Sequence, residues 1–311
     1  GAHSYDNWRE AVNIENMINI YIYTGNEDLK TQAIEAYDRF NTIKFDQKVD
    51  NLNQISISLS NLEKLNEFHV HVVTFNELAK IPAMLYSVTN DKRYLDILER
   101  AFKIVEDKYL MVNGAVSSDE AFSTNTEVAA SETCNINDFA LLCDYLLRAT
   151  GNLKYAEMAE RVVLNCAPAI AAHDFKAIQY FSSPNQVISA HNSNVGWRRQ
   201  SPRMAYLPDH FPECCGGNIN RTMPNFAVRS FYENKGALTL MFYNPCIFET
   251  EINKKYDYIC MRARNDKSID IDEATKAYKY LLNLNIEDTK PVKPVVEKYR
   301  KAWFKHIGTV A

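Results

Sequence analysis

The chain has 311 residues, 46% of them hydrophobic and 24% charged, so it can bury a sizeable core and is neither disordered nor collagen-like. A net charge of −4 offers a polyanion no general attraction, and no apolar run approaches the roughly 18 residues of a spanning helix, which argues against nucleic acid and membrane as partners. Nine glycines in 311 residues, less than half the usual share of about 7%, disfavour a turn-rich all-β fold or a glycine-cradled phosphate site. The chain opens with Gly1, Ala2 and His3 rather than Met, the pattern of a trimmed start, and the compartment is left open between cytoplasm and periplasm or exterior. Seven cysteines leave at least one thiol unpaired and do not read as a small disulfide scaffold.

Along the chain, three segments share one punctuation: Thr24-Gly25-Asn26, Thr89-Asn90-Asp91 and Thr150-Gly151-Asn152. Gly or Asn just past a helix takes the left-handed cap conformation, and the next Asn or Asp caps the following helix. The threonines recur at spacings of 65 and 61 residues, which predicts antiparallel helix pairs with one corner per pair. Phe75, Leu78, Ala79, Pro82 and Leu85 lead into the second corner at helical spacing, and Tyr94, Leu98, Ala101 and Phe102 lead out of it. Phe139, Leu142, Cys143, Leu146 and Leu147 precede the third corner, and Tyr155, Ala156, Ala159 and Val163 follow it, with Asn165 and Pro168 predicted to end that helix.

Two interruptions stand out. Val112 to Ser131 is polar and weakly periodic, which predicts a long loop of the functional kind. Phe175 to Asn225 holds a strand-like piece, Ala177 to Phe181, among several prolines. Beyond it, Ala237 to Tyr243 and Tyr256 to Ala263 read as strands, and Asp272 to Leu282 and Val295 to Lys305 as helices. The predicted fold class is all-α, a toroid of helical hairpins over residues 1–236, followed over 237–311 by short strands and a helical tail.

The strongest chemical constellation is Glu132-Thr133-Cys134 at a helix start, together with Glu213-Cys214-Cys215-Gly216-Gly217 in a predicted loop. Thiolates are zinc ligands, and four ligands complete a tetrahedral shell. Glu132 and Cys134 lie two apart, so they converge on one ion only if Glu132 sits at or before the first turn. Adjacent cysteines are poor disulfide partners for each other, and the glycine pair would let both sulfurs point one way. The competing reading is that Cys134 and Cys215 are buried as small hydrophobes. Cys143 and Cys166 lie on apolar helical stripes and read as core, and Cys246 and Cys260 have no partner motif.

Glu132-Thr133-Cys134, with Asp138, Phe139, Tyr145, Thr150, Gly151, Tyr155, Glu160, Arg161 and Asn165, resembles the central signature of glycoside hydrolase family 127, the β-L-arabinofuranosidase group. The resemblance continues through Gln179-Tyr180-Phe181-Ser182, then Cys214-Cys215, Gly217-Asn218, Asn220-Arg221 and Pro224-Asn225, and upstream to His71, Val73 and Glu77. It implies an (α/α)6 barrel and a zinc ion held by Glu132, Cys134, Cys214 and Cys215, with Cys214 as the nucleophile. It also implies a general acid/base glutamate on the preceding loop, Glu120, with Glu127 as the alternative. A thiolate on zinc would attack the anomeric carbon, and two inversions would give net retention.

His69 and His71 alternate at strand-like spacing, His71 being the better sugar contact against a purely structural role. Tyr180 and Asn218 read as pocket lining or, equally, as a packed aromatic and a turn asparagine. His210 reads as a substrate or supporting group, and Arg198, Arg199 and Arg203 as partners of an acidic sugar or as a solvated loop. Two departures from the family are visible. A ring of six hairpins at the observed spacing needs more chain than precedes Ala237, so an incomplete barrel is expected, and Gly216-Gly217 stands where the arabinofuranosidases carry a proline pair. The expected partners are an oligosaccharide and, at most, a second copy in a homodimer. The alternatives to a hydrolase are a non-catalytic, zinc-stabilised glycan-binding barrel and another (α/α)-barrel sugar enzyme, an epimerase or lyase.

Overall fold

The three predicted corners close in the same way. At each, a left-handed residue, Gly25 (φ 70°), Asn90 (φ 59°) or Gly151 (φ 68°), donates its backbone N–H to the carbonyl four residues back, at 2.7–2.8 Å. The preceding threonine hydroxyl donates to its own i−4 carbonyl at 2.7 Å in all three. Asn26, Asp91 and Asn152 then accept from the second backbone N–H beyond, at 3.0–3.1 Å. Each corner therefore satisfies helix-end groups from side chains within a few residues, as end-capping requires.

The structure, a computed structural model, describes residues 5–42, 62–193, 202–211, 213–234, 237–242 and 259–260. Among them run seven α-helices: α1 (Tyr5–Thr24), α2 (Glu27–Thr42), α3 (Val72–Thr89), α4 (Lys92–Lys108), α5 (Thr133–Thr150), α6 (Leu153–Ile170) and α7 (Cys214–Val228). The first six form three antiparallel hairpins, and α3 packs between α1 and α5 in an inner layer backed by α2, α4 and α6. This is an all-α fold of (α/α)-barrel type. Burial follows the layering: α5 is buried from Thr133 through Leu147, whereas α4 buries the single stripe Tyr94, Leu98, Ala101, Phe102 and Val105. Stacked Phe102 and Phe139, 5.7 Å apart, join the layers, and Cys143 and Cys166 are core as expected. In the inner layer, buried Lys80 of α3 pairs with Glu15 of α1 at 2.6 Å, and Glu15 also accepts from Tyr145 of α5 at 2.9 Å. No helix among the described residues is long and apolar enough to cross a membrane.

Residues 112–131 form the expected loop, carrying a tight pair β1 (Ser118–Asp119) and β2 (Ala121–Phe122). β3 (Ser131–Glu132) pairs antiparallel with β4 (Phe181–Ser182). By contacts the chain divides into residues 1–224 and 225–311. In the second unit, β5 (Phe231–Asn234) pairs antiparallel with β6 (Ala237–Leu240), β7 (Ile259–Cys260) adds parallel to β6, and Phe226 packs on Phe242 at 4.3 Å.

Several expectations need correction. The paired cysteines open helix α7 instead of lying in a loop, because buried Ile219 and Thr222 and an ion pair of Arg221 with Asp138 of α5 hold that segment helical. Helix α6 runs through Pro168 to Ile170, and Asn165 stays helical while its amide donates to Asn113 O at 3.3 Å. The strand expected around His69 and His71 shrinks to one bridge, His71 to Ala121, because α3 starts at Val72. Ala177 to Phe181 is strand only at its end, with Ile178 making isolated bridges to Ala171 and Leu207. The helices expected at 272–282 and 295–305, Arg198, Arg199 and Cys246 lie outside the described residues.

Gly114 sets the start of the functional loop. Its φ of 94° suits glycine, and a Cβ there would stand 2.9 Å from Arg161 Cγ and 3.2 Å from the backbone nitrogen of Val162. Gly114→Ala is expected to destabilise the fold by about 1–3 kcal/mol, read as a lowered denaturant midpoint at unchanged m-value.

Candidate functional site

The predicted site residues lie in the segments that link the helices or in the first turns of the helices that follow them. His71 caps α3, Glu120 is the turn between β1 and β2, Glu132 caps α5, Tyr180 precedes β4, and Cys214 begins α7. These segments are laced together by backbone bonds. Thr133 N–H donates to Tyr180 O at 2.8 Å, Tyr180 N–H to Arg203 O at 3.0 Å, and Val72 N–H to Glu120 O at 2.9 Å.

Glu132, Cys134, Cys214 and Cys215 converge as the sequence predicts, with one donor atom from each lying within 4.8 Å of all the others. Cys134 Sγ lies 3.5 Å from Cys215 Sγ, Cys214 Sγ 3.8 Å from Cys215 Sγ, and Cys214 Sγ 3.9 Å from Glu132 Oε1. Cys134, Cys215 and Glu132 are each 1% exposed, whereas Cys214 faces solvent. Hydrogen bonds from Cys134 and Cys215 hold the Cys214 thiol well below its ordinary value, and the same crowding pushes Cys134 up. Burial pushes the Glu132 carboxyl up against the pull of His71. A set of three sulfurs and one carboxylate, with Glu132 Oε2 buried and making no hydrogen bond, is suited to a metal ion.

Glu120 sits beside this cluster in a left-handed conformation, φ 68°, which is uncommon for a non-glycine residue and is held here by the bonds around it. Its Oε1 accepts from Arg203 Nη1 at 2.6 Å and from Tyr180 OH at 3.0 Å, and its Oε2 lies 3.4 Å from His71 Nε2. Burial disfavours its charged form, but His71, Tyr180 and Arg203 outweigh that and hold the carboxyl below its ordinary value. His71 lies between Glu120 and Glu132, and although burial works against its charge, the two carboxylates raise the ring to about 10.

Tyr180 is buried, with its hydroxyl at both Glu120 and Cys214. His210 lies behind it, 6.0 Å between rings, and bonds Ile178 O at 2.8 Å. Asn218, one turn into α7, accepts from Arg221 at 2.7 Å. Glu127 is exposed and contributes its backbone carbonyl to Asn185, and His69 is exposed beside Glu67 at 3.2 Å. Arg203 departs from the expectation of a solvated loop charge: it pairs with Glu120 and lies 4.3 Å from the Tyr180 ring. The pairing spans 83 residues, and no spacing in the sequence signals it.

Residues 4–228 match the β-L-arabinofuranosidase GH127 catalytic domain family. Among solved structures, a GH127 β-arabinofuranosidase is similar at a TM-score of 0.59 and 18% identity, over 74% of this chain and 34% of its own. A GH127 β-L-arabinofuranosidase from Geobacillus stearothermophilus T6 gives 0.59 at 16% identity, over 74% and 39%. A glycoside hydrolase gives 0.54 at 16%, over 74% and 40%. The chain thus spans two fifths or less of the length of these proteins, and at such identities the likeness is one of fold. No curated protein matches it.

Arg221 anchors the helix that carries the cysteine pair, bonding Asp138, which is 1% exposed, and standing 4.0 Å from Glu77. Arg221→Met leaves a buried carboxylate uncompensated. With the arginine a third exposed, the expected loss is about 2–3 kcal/mol by denaturant unfolding, short of the about 3–5 of a fully buried pair, and Arg221→Lys should recover part of it.

Proposed function

From the premise that the chain belongs to the GH127 β-L-arabinofuranosidase catalytic domain family, we propose that it is a zinc-thiolate glycoside hydrolase removing terminal furanosyl residues, by default β-L-arabinofuranosides, from oligosaccharides with retention. The observation that carries this reading is the convergence of Glu132, Cys134, Cys214 and Cys215 beside a fixed carboxylate, Glu120.

The donor spacing fits zinc. Zinc–sulfur bonds of about 2.3 Å in a tetrahedron place sulfurs about 3.8 Å apart, and the measured separations are 3.5 and 3.8 Å between sulfurs and 3.9 Å to the carboxylate. Glu132, Cys134, Cys214 and Cys215 would hold the ion. When bound, zinc keeps the sulfurs deprotonated and tempers the charge on the sulfur that forms and breaks a bond to carbon.

In the proposed cycle, Cys214, the solvent-facing member of the cluster, attacks the anomeric carbon while Glu120 gives a proton to the departing glycosidic oxygen. Water then displaces the sulfur from that carbon as Glu120 takes a proton from it, and the sulfur leaves as thiolate. Two inversions return the starting configuration. Tyr180, touching both Glu120 and Cys214, fixes their separation, and Arg203 and His71 favour the charged form of Glu120 that the second step requires; the proton that Glu120 hands over in the first step is drawn from the His71 ring 3.4 Å from its Oε2, and the proton taken from water in the second restores it. His71, Asn218 and His210 are proposed to complete the sugar subsite and its support.

Freshly purified protein is expected to contain one zinc per chain, with three thiols blocked until chelator is added, by elemental analysis and thiol titration. On an aryl β-L-arabinofuranoside, Cys214→Ser should abolish turnover while Glu120→Gln lowers kcat by about 10²–10⁴-fold. Full activity of Cys214→Ser would overturn the nucleophile, and zinc without turnover of any furanoside would favour the glycan-binding reading.

A further inference from the structure

Gly216 and Gly217 follow the cysteine pair in the first turn of α7, and nothing within the protein requires glycine at either. Both lie in regular helix and neither has a positive φ, so the backbone needs no special freedom there. Apart from chain neighbours and the helix's own backbone, no atom of the described residues would lie within 4 Å of a Cβ at either position, so packing does not exclude a side chain. In a helix, glycine is less favourable than alanine. Its use is then to let something from outside the chain approach the backbone closely.

The two glycines face different ways. Residues three and four apart share a helix face, and residues two apart do not. Gly217 and Asn218 therefore lie on the face of Cys214, the cysteine that faces solvent, and Gly216 does not. A Cβ leans toward the N-terminus of its helix, so one at position 217 would lean toward Cys214. In the proposed cycle the departing group leaves on the side of Glu120, which Arg203 and Tyr180 hold at 2.6 and 3.0 Å. The sugar transferred to Cys214 Sγ instead comes to rest on the helix face that carries exposed Gly217. Carbon atoms in contact stand about 3.5–4.0 Å apart, so the clear 4 Å around that Cβ position holds one further carbon or oxygen group.

We propose that Gly217 is the specificity-determining residue of the subsite for the transferred sugar, its bare backbone admitting a furanose with one exocyclic carbon more than arabinose, a hexofuranose. This rests on the hydrolase reading and names the larger sugar class that the same site takes.

The test compares Gly217→Ala with Gly216→Ala in the full chain, on an aryl β-L-arabinofuranoside and on the aryl hexofuranoside that has the same ring configuration and one more carbon. Both variants should raise the denaturant midpoint, as alanine replaces helical glycine, with thiol reactivity as in the wild type. Gly217→Ala is expected to lower kcat/KM on the hexofuranoside by about tenfold or more and on the arabinofuranoside by less than about threefold. Gly216→Ala should leave both values as they are. An equal effect of Gly217→Ala on the two substrates, the same loss in Gly216→Ala, or a wild type that cleaves only the arabinofuranoside would overturn the proposal. A wild type that cleaves neither glycoside removes the hydrolase reading, and calorimetry with the methyl hexofuranoside then decides the subsite separately. Binding weakened about tenfold in Gly217→Ala alone upholds it, and equal binding or none overturns it.

Discussion

Glu132 is a carboxylate almost wholly removed from water at the junction of a strand and a helix, and the arrangement around it follows from the need to compensate that burial. One oxygen looks at sulfur and the other at imidazole. Its backbone N–H is taken by Ser118 Oγ at 3.2 Å, and the strand pairing of Glu132 with Phe181 fixes its height against the 179–182 segment. Three helices begin at this point, with His71, Glu132 and Cys214 at or next to their first residues. The positive ends of three helix dipoles therefore face the one cluster of sulfur and carboxylate, and stabilise negative charge there.

The scaffold that brings those helix starts together is held from behind. Arg221 ties α7 to Asp138 of α5, and Lys80, Glu15 and Tyr145 tie α1, α3 and α5 to one another. In front, Gln179 donates to Met204 O at 2.9 Å and Thr133 Oγ1 to Gln179 O at 2.7 Å, so the loop carrying Arg203 is tied to the start of α5. A side chain such as Glu120, in a strained conformation and with contacts from three different segments, keeps its place only in such a frame.

The parts of this molecule readable from sequence are those whose causes lie within a few residues. Thr24-Gly25-Asn26 and its two counterparts declare their corners because each closes on its own neighbours. The Glu132 and Cys134 spacing likewise predicts a carboxylate at the helix cap, which is where it lies. Helix α7 was not legible, because its first four residues, two cysteines and two glycines, have no helical preference of their own, and what makes them helical is burial of Ile219 and a charge on another helix. Arg203 was not legible for the same reason at longer range, and Glu120 was found only through family likeness, since nothing local distinguishes one loop acid from another.

The repeated corners have one more consequence. Each hairpin puts its short, self-sufficient corner at one end and its long connection to the next hairpin at the other, so the helical layer has two unequal rims. Substitutions on the corner rim alter how firmly a hairpin closes and little else. The opposite rim, which holds the 112–131 and 171–193 segments, is bonded to the helices beneath at a few points, Val112 O to Arg161, Asn113 O to Asn165 and Gln179 O to Thr133. Change on this plan therefore falls more easily between those points of attachment than at them, while the corner rim is inherited as three self-contained units.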